Sequence, residues 1–181
     1  WLADANYAKT SGYDDDGLMY WEHALVWADS LSYYDSVRGV MYDDWRLPMV
    51  RDGGLADTLW AYSGTDRGYN VRTVGEDGTV FSELAYMYYN NLSFKSYFSP
   101  SGANQLDYGI FGNGTDAGER DGVGPNGAIQ NLQSDSYWSG TRYVSEPGSY
   151  AWFFSNSGLQ SAAPSNYVYF GSAFYVWALR D

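Results

Sequence analysis

The stretch 134-SDSYWSGTRYVSEPGSYAWFFSNSG-158 sets tryptophan, tyrosine and phenylalanine among serines, glycines and one proline, with neither histidine nor cysteine. Within it, YWSGT and YAWFFS alternate aromatic or aliphatic residues with small or polar ones, the period of a half-buried β-strand. Two further runs, NYVYF at 166–170 and AFYVWALR at 173–180, keep the same pattern between turns. The chain therefore reads as a β-meander from Tyr137 onward. Each ring in it either fills a core or faces a ligand.

Working outward, the period changes. Residues 1–32, WLADANYAKTSGYDDDGLMYWEHALVWADSLS, predict a short strand, a polar turn and a helix. Asp16 is placed to cap that helix, with Asp14 and Asp15 beside its positive end. Trp21, Ala24, Leu25, Ala28 and Leu31 then recur at helical spacing as one apolar stripe. In YDDWRLP, Trp45 and Leu47 alternate with Arg46 and Pro48 ends the run, as in a short strand entering a loop. Residues 52–80 have no sustained period and read as loop. SELAYMYYNNL predicts a second helix, with Leu84, Ala85, Tyr88 and Leu92 on one face and Ser82 as N-cap. Residues 99–136 are irregular, and a loop of that length in a compact domain is usually functional or tied down by a ligand. Two helices early and strands late make an α+β pattern in a single domain, 1–181.

Composition narrows the function. The chain has no cysteine, which excludes disulfides, thiolate metal sites and thiol nucleophiles. A formal charge of −12 repels phosphate and anionic lipid, so nucleic acid and membrane surfaces are poor partners. No stretch approaches the roughly 18 apolar residues of a membrane helix. The chain opens on Trp1 without a signal peptide, and the expectation is a mature or trimmed fragment. Tyrosine and tryptophan make up most of an aromatic fraction of 19%, a composition shared by cores and contact surfaces.

Little catalytic equipment is legible. The single histidine, His23, falls inside the first helix off its apolar stripe, so a histidine-based triad and a zinc site are both disfavoured. No glycine-rich loop carries the lysine of a phosphate-binding motif. Paired carboxylates remain open as a hydrolase device, without a pattern that points to one. Hard oxygen donors cluster at Asp14, Asp15 and Asp16, and again at Asn113, Thr115, Asp116, Glu119 and Asp121. The second group, with Asn113, Asp116, Glu119 and Asp121 as ligands, is the candidate Ca²⁺ site, although its spacing is not that of an EF-hand. Arg46 and Arg180 sit in aromatic-flanked runs and are expected to be partly buried and paired with carboxylates.

Three segments together carry a resemblance: WLADANYAKTSGYDDDGLMYWEHALVWADSL, DDWRLP at 43–48, and NLQSDSYWSGTRY…YAWFFSNSG…FYVWALR over 131–180. In their order and content they resemble the bacterial DUF1566 domain family, the C-terminal domain of the Legionella collagen-like protein, over essentially the whole chain. The resemblance implies a C-type-lectin-like fold, two helices on a small antiparallel sheet with long irregular loops, and a secreted or cell-surface location. It also implies a ligand surface built by the late strands and loops, drawing on Tyr137, Trp138, Tyr143, Tyr150, Trp152, Phe154, Tyr167, Tyr169, Phe174, Tyr175 and Trp177. Trp45, Arg46 and Leu47 look like scaffold. The cysteines of the related formylglycine-generating enzymes are missing, so their oxidase activity does not carry over. EPG at 146–148 stands where sugar-binding C-type lectins have an EPN-like triplet, and no WND follows.

The expectation is a non-catalytic extracellular recognition or adhesion module that binds a carbohydrate or a surface protein, with no required cofactor beyond the candidate Ca²⁺. Its contact residues would be Tyr143, Tyr150, Tyr167 and Tyr169, the best outward candidates, with Trp138, Trp152 and Tyr175. Alternatives are a self-associating structural subunit and, third, a carboxylate-based hydrolase.

Overall fold

A computed structural model describes residues 1–51, 66–69, 71–106, 108, 127–144, 148–165 and 171–181. The order is α1 (Tyr7–Thr10), α2 (Trp21–Ser30), β1 (Tyr33–Asp35), β2 (Val40–Tyr42), α3 (Glu83–Tyr86) running into a π-helical turn (Met87–Asn91), then β3 (Tyr137–Arg142), β4 (Tyr150–Phe154) and β5 (Gln160–Pro164). The fold is α+β, with β1–β2 and β3–β4–β5 as two small antiparallel sheets.

α2 buries the expected face: Trp21, Ala24, Ala28 and Leu31 lie in the core beside Trp27, and Leu25 packs on its edge. Its start differs from the reading. The N-cap is Tyr20, with no side-chain cap. The aspartates are engaged earlier, because Asp14 accepts the N–H groups of Asp16 and Gly17 at 3.1 and 2.7 Å and Asp16 accepts that of Leu18 at 2.8 Å. Short acidic side chains close local turns in preference to waiting for a helix several residues on. Residues read as an opening strand form no named strand: they make the Asp4–Gln130 bridge, and Leu2 bonds to Ala178, before α1 forms.

Ser82 caps α3 as expected, accepting the Ala85 N–H at 3.2 Å. Leu84, Ala85 and Tyr88 are buried from the predicted face. The helix widens to a π-turn over MYYNN, with the Leu92 N–H reaching back to Met87 at 2.9 Å.

The meander departs from the reading after β4 and in its final segment. The third strand of the sheet is QSAAP, which carries few β-formers and was not expected to pair. NYVYF lies outside the described residues. FYVWAL forms no continuous strand. Instead it is a seam: Phe174 exchanges hydrogen bonds with Met19, Tyr175 with the β3 edge, and Leu179 with Arg46, while Ala178 accepts the Leu2 N–H. This single segment ties the first 46 residues to the sheet.

Tryptophans reinforce the seam. Trp21 donates to the Ser139 carbonyl at 2.7 Å, Trp138 to Met19 at 2.8 Å and Trp177 to Leu2 at 2.8 Å. A buried indole N–H must find an acceptor, and each of these finds one more than a hundred residues away in sequence. Every such ring also removes apolar surface from water, worth on the order of 3 kcal/mol.

Candidate functional site

The structure corrects the expected contact surface first. Trp138 and Trp152 are 0% and 1% exposed, so neither can touch a ligand. Tyr137, Phe154 and Trp177 are buried as well. Tyr143, Tyr150 and Tyr175 are half-buried, and Tyr167 and Tyr169 lie outside the described residues.

The reason is that β3–β4–β5 is covered on both faces. On one side Trp138, Phe153 and Phe174 pack ring to ring, with Trp138–Phe174 centroids 4.6 Å apart and Phe153–Phe174 4.7 Å apart. On the other, Trp152 meets Val50 and Tyr143, and Phe154 meets Tyr88 at 5.3 Å. Alternation puts half the rings outward only when one face of a sheet is open to water. Here the surplus rings are absorbed by a second packed layer.

The metal candidates Asn113, Asp116, Glu119 and Asp121 lie outside the described residues. Among the described residues there is no group of three or more His, Asp or Glu side chains arranged to hold an ion. His23 is exposed on α2, its ring edge-on to Tyr20 at 6.2 Å.

Half-exposed rings do gather elsewhere. The β1–β2 hairpin was not expected; its signal was DSVRG between YY and VMY, a turn between strand-forming residues. Asp35 accepts the N–H groups of Val37 and Arg38 at 2.9 and 3.0 Å, and Gly39, at φ +69°, returns its own N–H to Asp35 O at 2.7 Å. The left-handed backbone at that position suits glycine. Cross-strand partners share a face, so Tyr33 and Tyr42 point together toward the body of the protein.

These two rings, with Trp45 and Trp1, line a groove of about 540 Å³ bordered by Asp35, Arg38 and Arg180. Tyr33 is braced edge-on by Tyr7 at 5.4 Å and Trp45 at 6.1 Å. Trp45 donates to the Tyr42 carbonyl at 3.1 Å. The Arg180 guanidinium lies over the Tyr42 ring, 4.0 Å from its centroid, and makes a fork to Asp44 at 2.6 and 2.7 Å. Arg46 is likewise paired, with Glu83 and Asp181. Both arginines behave as their sequence context implied.

Asp35, which lines the groove, and Asp44, which holds Arg180 at its edge, both have lowered pKa values. Arg38 lowers the pKa of Asp35, chiefly through its side-chain hydrogen bond, and Arg180 does the same for Asp44. Carboxylates in that state accept hydrogen bonds well and are poor proton donors. Aromatic rings set beside fixed hydrogen-bonding groups form a surface suited to a polyhydroxylated ring rather than to proton-transfer chemistry.

Comparison of the chain with protein-family models, with curated proteins and with solved structures gives no match in any of the three.

Proposed function

We propose that this protein is a non-catalytic recognition module of C-type-lectin-like architecture, related to the DUF1566 domains, and that it binds carbohydrate in the groove between the β1–β2 hairpin and the Trp45 segment. The observation that carries the reading is the pairing of Tyr33 and Tyr42 on one hairpin face, where they line a groove whose charged rim is already neutralised in pairs. Sugar rings present C–H faces to aromatic side chains and hydroxyls to ionised carboxylates and guanidinium groups. The family resemblance supports a secreted or cell-surface setting on a bacterium, where such a module would serve adhesion. No helix among the described residues is long and apolar enough to cross a membrane.

A glycan array probed with the purified protein tests this, followed by titration of the best ligand. Tyr42→Ala is expected to weaken binding about tenfold by removing one stacking surface. An array without signal, or wild-type affinity in both Tyr33→Ala and Tyr42→Ala, overturns the reading.

A second reading, a structural subunit that associates with its own kind, is favoured by the outer hairpin face. Tyr34 and Met41 are cross-strand neighbours and each is 57% exposed, with Val37 92% exposed at the tip. Sedimentation that shows only monomers at high concentration counts against it.

A further inference from the structure

A second cleft lies beyond the WRLP segment and shares no lining residue with the groove. Val50 is buried against Trp152, and its N–H is held by Thr141 at 2.9 Å, while the next residue, Arg51, is exposed. The Arg51 N–H bonds to the Phe81 carbonyl at 2.7 Å, and the Phe81 N–H to Thr73 at 2.9 Å. Ser82, beside it, is locked by bridging to Val50 and by its hydroxyl contact with Gln160 of β5 at 2.7 Å. The cleft edge is therefore built on the rigid sheet.

On this frame two guanidinium groups share one ring. The Cζ atoms of Arg51 and Arg72 lie 5.1 and 5.0 Å from the centroid of Phe81, at the wall of a cleft of about 490 Å³. Cation–π contact fixes the orientation of an arginine without using its N–H donors. Arg38, Arg46, Arg142 and Arg180 are each ion-paired. Among the described residues neither Arg51 nor Arg72 is, in a chain of net charge −12. The carboxylates that line the cleft are engaged or exposed: Asp66 accepts the N–H of Thr73 at 3.1 Å and its hydroxyl, Asp77 accepts the N–H of Thr79 at 3.0 Å and also feels the charge of Arg51, and Glu76 is exposed.

We propose that this cleft binds a singly charged sugar acid, a hexuronate unit, with its carboxylate on Arg51 and Arg72 and its hydroxyls donating to Glu76 and Asp77. A guanidinium held by stacking keeps its N–H fork available for a planar carboxylate, and both arginines line the same cleft. The neighbouring acidic groups oppose the extra charge of phosphate, roughly −1.5 at neutral pH, yet they are good acceptors for sugar hydroxyls. The assignment stands independently of the groove.

Isothermal titration of the whole chain with methyl galacturonide, its neutral methyl galactoside counterpart and inorganic phosphate tests the proposal. The uronate is expected to bind, to weaken about tenfold in Arg51→Gln or Arg72→Gln, and to weaken with added salt. Glu76→Gln should improve phosphate relative to uronate. Circular dichroism checks that the variants fold, and the salt dependence of the wild type decides the matter should they not. A flat uronate titration, salt-independent binding, wild-type affinity in both folded arginine variants, or phosphate binding as tight as uronate each overturns the assignment.

Discussion

Arg46 grips Glu83 with two parallel hydrogen bonds of 2.7 and 3.0 Å, and the same carboxylate takes the Met49 N–H at 2.6 Å. Because Arg46 also pairs through its backbone with Leu179, this one contact joins the WRLP segment, α3 and the end of the chain. A bidentate fork with a third donor on the carboxylate is among the stronger polar contacts available to a half-buried pair. Glu83→Gln is expected to destabilise the fold by about 2 kcal/mol, since a neutral amide keeps one bond and orphans another donor. The shift in urea midpoint measures it. Arg46→Lys should cost a similar amount, because a point charge cannot make the fork.

Trp138 belongs to the core and not to a contact surface, so its loss should be felt in stability. Trp138→Ala removes the packing against Phe174 and the bond to Met19, at a cost of about 3–5 kcal/mol. Tyr42→Ala, on the groove wall, should cost well under half as much. Thermal unfolding of the two variants side by side separates core ring from surface ring.

Gly158 takes φ +86°, and a Cβ there would stand 2.5 Å from the Tyr89 hydroxyl and 3.0 Å from the Tyr88 ring. Both rings are themselves pinned against Phe154. Gly158→Ala combines left-handed strain with overpacking and is expected to cost about 2–4 kcal/mol. A denaturant titration within 1 kcal/mol of wild type would contradict the tight approach.

Burial raises the pKa of Tyr88, Tyr89 and Tyr137 above the ordinary value of 10.0. In each case the folded state favours the neutral phenol. The stabilisation is therefore complete below pH 10 and is lost as pH rises from the unfolded value toward the folded one. Tyrosinate absorbance should appear in two stages, exposed phenols first and the buried ones together with cooperative unfolding. A single early transition with native circular dichroism throughout would count against buried hydroxyls.

At the acid end the sign reverses. Asp35 and Asp44 have folded pKa values below the ordinary 3.8, held there by hydrogen bonds from Arg38 and Arg180. Their contribution is present above pH 3.8 and is lost as pH falls through the lower folded values. Carbohydrate binding at the groove is expected to persist from neutrality down past pH 3.8 and to fail only as pH falls through the lowered folded values. Loss of binding near pH 6 would assign the groove to a different titrating group.

Local pattern by itself determined a good deal of this protein. The stripe from Trp21 to Leu31, the Ser82 cap, the strands at Tyr137 and Tyr150, and the pairing of Arg46 and Arg180 with carboxylates were all legible. Such features depend on residues near one another in the chain or on a charge that must find a partner anywhere. Only the tertiary structure decided which rings are free. Alternation along YAWFF says that Trp152 and Phe153 face opposite ways, but not that Val50 waits on one side and Phe174 on the other. Whether a face is wet depends on what long-range segments are laid over it, and those contacts leave no periodic mark in the strand they cover. For the same reason Tyr33 and Tyr42, unremarkable in sequence, became a half-exposed aromatic pair on a groove wall, while the conspicuous tryptophans closed the core.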